Sequence, residues 1–172
     1  MPRAFIAIGS NIAPAANVRS AIQALRAETR LIAISTIYCT EPERHPDHPL
    51  FYNGVVEVET GKAPQALKFE LLRSIEARLG RQRTSDKDAP RTIDLDLLLW
   101  GDLVLKTAGL TLPDPDIADR PVVAIPLSEL ASDLVLPGTL TSISALIANL
   151  SRTGMTPLNR YTAYLRREMQ FK

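Results

Sequence analysis

The sequence is short of several things, and each shortage excludes something. Among its 172 residues there is one cysteine, Cys39. That excludes an internal disulfide and a cysteine-rich zinc site, and it fits a reducing, cytoplasmic compartment. Histidine is nearly as scarce. His45 and His48 share a Pro-rich loop with no third metal ligand nearby, and they read as solvated loop residues. An excess of charge is missing too: 20 Lys+Arg against 19 Asp+Glu leave +1. A nucleic-acid polymer or an anionic membrane calls for an extended basic surface, so neither is an expected partner. No apolar run approaches the roughly 18 residues of a membrane span. The first such run, Ala4 to Ile8, meets Gly9 too early to be the core of a signal peptide. Internal repeats and low-complexity tracts are absent as well.

What remains is an ordinary globular composition, 45% hydrophobic and 23% charged. A chain of this length matches one domain, residues 1–172, and buries enough surface to fold without staples. The 13 prolines fall mostly between periodic segments, as loop punctuation. Ala4–Ile8 reads as a buried strand closed by Gly9-Ser10-Asn11. Val18, Ala21, Ile22 and Leu25 recur at helical spacing between Pro14 and Thr29. Leu31–Tyr38 is rich in strand-forming residues, and residues 40–50 are polar and broken by proline. Phe51–Thr60 reads as a third strand. A helix follows from Pro64 with Leu67, Leu71, Leu72, Ile75 and Leu79 as its apolar stripe, stopped by Gly80. Residues 81–92 form an exposed loop, and Ile93–Leu99 is a fourth strand. The order β-α-β-β-α-β predicts an α+β, ferredoxin-like fold: an antiparallel sheet with two helices on one face. The remainder is expected to be less regular, with helix over Thr141–Leu150 and over Tyr161–Met169.

The sharpest local feature is Asp94-Leu95-Asp96. Side chains alternate along a strand, so Ile93, Leu95, Leu97 and Leu99 share a face that can be buried. Asp94 and Asp96 share the other, about 7 Å apart. At an effective dielectric near 20 their mutual repulsion is roughly 2 kcal/mol, which a bridging cation removes. Paired carboxylates of this kind suit Mg²⁺, which takes its other ligands from water and substrate phosphates. An acidic, solvated strand face is the plainer alternative. The neighbourhood favours the cation: residues 73–91 carry six basic residues (Arg73, Arg78, Arg81, Arg83, Lys87, Arg91) and three acidic ones. Guanidinium groups clamp phosphate oxygens. Metal-binding carboxylates beside arginines are what phosphoryl transfer requires. Gly9-Ser10-Asn11 lacks the GK[ST] of a P-loop and reads as a turn. Cys39 and Trp100 read as packing residues. The basic residues after Ser151 read as a solvated helix face.

Taken together, Ala7-Ile8-Gly9-Ser10-Asn11, Tyr38-Cys39-Thr40-Glu41-Pro42, Phe51-Tyr52-Asn53 and Pro90-Arg91-Thr92-Ile93-Asp94-Leu95-Asp96-Leu97-Leu98 resemble the 6-hydroxymethyl-7,8-dihydropterin pyrophosphokinase family of folate biosynthesis. The order and spacing of these motifs match from residue 3 to about 160, with 161–172 as a C-terminal extension. The resemblance implies 2-amino-4-hydroxy-6-hydroxymethyldihydropteridine diphosphokinase activity: the β,γ-pyrophosphoryl group of ATP passes to the pterin hydroxymethyl oxygen and AMP is released. It implies two Mg²⁺ ions held by Asp94 and Asp96. It also implies phosphate binding by Arg81 and Arg91 with Arg83 assisting, and ATP-side roles for Glu76, Thr111 and Arg120. On the pterin side it implies Asn53 hydrogen-bonding the ring, Thr40 offering backbone contacts and Phe51 packing on it. A cytoplasmic monomer acting on ATP and a small pterin is the expectation.

Three positions depart from the family's pattern. Asp88 stands where the family often places a Trp. Asp114 replaces the His of a Pro-His-Pro segment, where its charge repels ATP unless it is turned away or recruits metal. Val122 replaces a second pterin-stacking aromatic. Lost aromatic faces weaken ring binding by roughly 1–3 kcal/mol. The residues thus leave two other readings open: a divergent member that binds nucleotide or pterin without efficient transfer, and a phosphoryl transferase with another acceptor.

Overall fold

The computed structural model describes residues 1–170. Its central strand, β1 (Arg3–Ser10), lies between β4 (Phe51–Glu59) and β5 (Asp94–Trp100), antiparallel to both. β2 (Arg30–Ile34) and β3 (Tyr38–Thr40) pair in turn with β4, and β8 (Met155–Pro157) adds to the free edge of β3. A separate hairpin joins β6 (Leu105–Thr107) and β7 (Leu110–Leu112).

One face of the sheet is covered as the pattern of apolar residues predicts. α1 (Pro14–Glu28) presents Val18, Ala21, Ile22 and Leu25, all fully buried. The second helix runs from 64 to 78 as a short turn, α2 (Pro64–Ala66), a π-helical stretch (Leu67–Leu72) and α3 (Arg73–Arg78). A π turn holds an extra residue. Here it keeps Leu67, Leu71 and Leu72 directed inward before Ile75 and Glu76 continue the buried side. Gly80, at φ 78°, ends the helix. The Gly80 N–H then bonds to Ala77 O and the Arg81 N–H to Glu76 O, at 3.0 Å each. This left-handed stop returns the chain to the helix end and delivers Arg81 beside Glu76.

The structure corrects the expected fold in four places. The strand predicted over Leu31–Tyr38 is two strands, broken at Ser35–Ile37. There the backbone is held by Val55 O, Glu129 and Thr162 instead of a continuous ladder. Gly54 permits the break, since a Cβ at that position would lie 2.5 Å from Ile37 Cδ1. Second, a register shift opposite Phe5/Ile6 interrupts β5. Leu99 therefore leaves the side of Ile93, Leu95 and Leu97 and joins Leu98 in the second apolar cluster. Third, the helices are not confined to one face. α4 (Asp116–Asp119), α5 (Pro121–Leu130) and α6 (Ile143–Ala148) bring Ile117, Val123, Ala124, Leu127 and Ile143 against Val55, Leu98 and Leu99 on the other. Fourth, the C-terminal part is more regular than expected, and the helix expected over Tyr161–Met169 is present and longer. α7 (Asn159–Gln170) docks on the first face through Leu165 and Met169 and is tied down by an Arg19–Glu168 ion pair. Phe171 and Lys172, the end of the expected extension, lie outside the described residues.

Candidate active site

α5 and α6 cover only part of the second face. At the uncovered end, where β1, β4 and β5 meet, lies a cavity of ≈ 360 Å³. Its floor is set by strand register. Gly9 pairs with Asp94 on one side and with Asn53 on the other, and Ala7 pairs with Asp96. A Cβ at Gly9 would come within 2.8 Å of Asn53 Oδ1 and displace that amide from its bond to Thr40. Asn53 Nδ2 donates to Thr40 Oγ1 at 2.7 Å, so the amide is oriented before any ligand arrives. Phe51, Leu98 and Val122 supply apolar wall, and Arg91 and Arg120 supply positive charge.

The two aspartates on this floor are in opposite electrostatic states. Burial pushes the Asp94 carboxyl up, but Arg81 and Arg91 outweigh it and hold the group below the ordinary carboxylate range. Arg81 Nη1 donates to Asp94 Oδ1, and Arg91 Nη1 donates to Asp94 Oδ2 at 2.8 Å. Asp96 has no hydrogen-bond or ion-pair partner among the described residues. Burial, followed by the neighbouring Asp94 charge, raises it to about 7, with Lys68 opposing. A carboxylate left without a donor beside a second carboxylate fits a divalent cation. Among the described residues no third His, Cys, Asp or Glu completes a cluster around the pair. The remaining ligands would therefore be water or substrate oxygens, as Mg²⁺ prefers.

Glu76 is 2% exposed and does not line the cavity. It organises the arginines from behind. Its Oε1 accepts from Arg81 Nη1 at 3.1 Å and from the Leu95 N–H at 2.9 Å, and its Oε2 accepts from Arg83 Nη2 at 2.6 Å. One buried carboxylate thus fixes Arg81, caps the outer edge of β5 and restrains Arg83. Thr111 stands apart, exposed on β7 and away from the cavity lining. The structure thus gathers Thr40, Phe51, Asn53, Arg91, Asp94, Asp96 and Arg120 around the cavity. Arg81, Arg83 and Glu76 stand behind it, and Thr111 lies elsewhere.

The departing positions acquire partners. Asp88 Oδ2 lies 3.6 Å from both Arg44 Nη1 and His45 Nε2, across the mouth of the cavity. Asp114 Oδ1 accepts the Asp116 N–H at 2.9 Å and does not line the cavity, but its charge still acts on Asp96 and adds to the rise of that carboxyl. Val122 does line it. His45 and His48, read as solvated loop residues, also line the cavity, with their rings stacked at 4.7 Å. Single residues in a proline-rich loop carry no spacing signal, so the place of the two histidines at the cavity is not legible in the sequence.

A family model described as 7,8-dihydro-6-hydroxymethylpterin-pyrophosphokinase (HPPK) matches residues 5–132. Two relatives are named 2-amino-4-hydroxy-6-hydroxymethyldihydropteridine pyrophosphokinase. One, from Pseudomonas aeruginosa, is 40% identical over 138 residues, covering 78% of this chain and 84% of the relative. The other, from Haemophilus influenzae, is 37% identical over 162 residues, covering 92% and 99%. Among solved structures, Plasmodium falciparum HPPK-DHPS wild type with SDX-DHP superposes with a TM-score of 0.65 at 13% identity. That match takes in 99% of this chain but 45% of the longer Plasmodium chain, and it speaks for the fold alone.

Proposed function

The chain belongs to the 7,8-dihydro-6-hydroxymethylpterin-pyrophosphokinase family and transfers pyrophosphate from ATP to hydroxymethyldihydropterin in folate synthesis, and we propose that the cavity at the open end of its sheet is where it does so. The observation that carries this reading is the shared floor. Asp94 and Asp96 on β5 and Asn53 on β4, across Gly9 and Ala7 of β1, face one cavity, with Arg91 and Arg120 on its wall.

The family uses ATP, generally with Mg²⁺; two ions held by Asp94 and Asp96 is our assignment. When bound, the metal supplies neutralisation of the triphosphate and withdrawal of charge from the β-phosphate. The protein's own groups do the rest. Arg91 and Arg120, with Arg81 and Arg83 behind them, offer donors for phosphate oxygens. Asp94, paired with Arg81 and Arg91, would hold the metal together with Asp96. Asn53, held by Thr40, presents fixed hydrogen-bonding atoms to the pterin, and Phe51 packs against the flat ring. The pterin hydroxymethyl oxygen bonds to the β-phosphorus and gives up its proton to water, the bond from that phosphorus to the α,β-bridging oxygen breaks, and AMP departs with that oxygen. Positioning and charge neutralisation are the whole of the protein's task.

We further read the strand order as ferredoxin-like, residues 1–172 as one domain, and the protein as a cytoplasmic monomer. Among the described residues no helix is long and apolar enough to cross a membrane. The decisive assay mixes protein, ATP, Mg²⁺ and 6-hydroxymethyl-7,8-dihydropterin and follows nucleotides by chromatography. AMP formed only with pterin is the expected result. ADP formation would point to another phosphoryl transfer, and ATP binding without turnover to a divergent binding protein.

A further inference from the structure

We propose that Asn11 is a positioning residue for the transfer. Its side-chain amide fixes the backbone of Arg91, and thereby holds the Arg91 guanidinium against Asp94. The proposal rests on the reading above, in which Arg91 and Asp94 serve the reaction.

Asn11 follows β1 directly and is 3% exposed. Its Oδ1 accepts the Arg91 N–H at 2.7 Å, and its own N–H donates to the Arg91 carbonyl at 3.2 Å. Ser10 Oγ donates to the neighbouring Thr92 carbonyl at 2.6 Å. The last registered pair of the β1–β5 ladder is Gly9 with Asp94. Ser10 and Asn11 extend that attachment into a stretch that has no strand of its own, using side-chain atoms where ladder bonds have stopped. On its other side Asn11 Nδ2 reaches the Pro49 carbonyl at 3.5 Å. One buried amide therefore touches the bases of both loops that bound the cavity, residues 41–50 and 81–92.

The geometry shows why an anchor is needed at this point. Apart from Asp94, the Arg91 guanidinium donates to the carbonyls of Lys87 and Ala89, both within its own loop. Those local bonds travel with the loop and cannot fix its position relative to the strand. The contact that matters, Arg91 Nη1 to Asp94 Oδ2, depends on where the Arg91 backbone is pinned. Asparagine suits the pin because a short side chain with one acceptor and one donor faces two backbones at once. Alanine leaves a buried N–H of Arg91 without its partner.

The test is a double-mutant cycle read by AMP formation in the wild type, Asn11→Ala, Arg91→Ala and the double variant. Asn11→Ala is expected to lower kcat by about tenfold or more. The KM for pterin should change by less than about threefold. In the Arg91→Ala background the same substitution should cost under about twofold, because the two residues act through one contact. Asn11→Asp keeps the acceptor for the Arg91 N–H and should recover most of kcat. If Asn11→Ala does not fold, Asn11→Ser carries the same cycle. Wild-type kcat in Asn11→Ala, or equal fold-losses in both backgrounds, overturns the proposal alone. A wild type that forms no AMP, or an Arg91→Ala as active as wild type, overturns both the proposal and the reading beneath it.

Discussion

The two faces of the central sheet are made from the same strands but do opposite work. Toward α1, the 64–78 helix and α7, the face is closed, and Ile6, Ile8, Leu95 and Leu97 are sealed in one apolar cluster. Toward α5 the face is closed at one end and open at the other. The open end holds a glycine, an asparagine and two aspartates. On β5 the division runs residue by residue: Leu95 and Leu97 are buried, while Asp94 and Asp96 between and before them meet the cavity. Strand alternation lets a single seven-residue strand anchor the core and carry the chemistry together. The two tasks can then be disturbed separately.

The largest separation is expected from Asp96→Asn. Removing one carboxylate of the metal-holding pair should cut AMP formation by about a hundredfold or more, a loss of several kcal/mol in transition-state stabilisation. Secondary structure by circular dichroism should stay unchanged. Surviving activity would mean the metal is held elsewhere. One position on, Leu97→Ala should do the reverse. It leaves a cavity in the closed face and should destabilise by about 2–5 kcal/mol in urea unfolding, while molecules that remain folded keep their kcat.

A third and smaller effect follows from the raised Asp96 carboxyl. Its pKa is about 7 in the folded protein, above the ordinary carboxylate value. In the window between that ordinary value and about 7 the folded state holds more protons than the unfolded state. Stability from this group is therefore lost as pH rises. In chelator, the melting temperature should fall between pH 5 and pH 8 by about 2–4 °C for each kcal/mol lost. Asp96→Asn should flatten that slope. Asp94 has the opposite sign: its carboxyl is lowered, so its contribution fades only on acidification below the ordinary range.

The smallest effect belongs to Asp88. Its 3.6 Å contacts are an ion pair with Arg44 and an approach to the His45 imidazole, all on partly or well exposed side chains. Such pairs are worth about 0–1 kcal/mol. Asp88→Ala should shift the KM for ATP by no more than about threefold, and that shift should vanish at high salt. A larger, salt-insensitive change would give Asp88 a role beyond its exposed ion pair.

Much of this comparison was legible in the sequence, for identifiable reasons. Val18, Ala21, Ile22 and Leu25 repeat at helical spacing and are all buried. The Asp94-Leu95-Asp96 alternation placed both carboxylates on one face, and the Gly80 stop fell where expected. These are local signals, set by backbone geometry within a few residues. The sequence was mute where the outcome depended on a distant partner. Strand-forming residues run unbroken through Ser35–Ile37, yet Gly54, Glu129 and Thr162 decide that the ladder breaks there. The register shift that moved Leu99 to the other cluster is likewise a property of two strands. The turn Gly9-Ser10-Asn11 looked unremarkable. Each of its residues proves to be matched to a residue more than 40 positions away, Asn53, Thr92 or Arg91.

The opposite states of the two aspartates make the same division. Chemistry and alternation in the sequence determined that two carboxylates would share a strand face near many arginines. They could not determine which carboxylate the arginines would hold. That depended on Gly80 turning Arg81 back toward Glu76 and on Asn11 pinning Arg91, contacts that exist only once distant segments are packed. Those contacts leave Asp94 paired and Asp96 without a partner. Electrostatic energy depends on distance and burial in three dimensions, and neither is a function of separation along the chain.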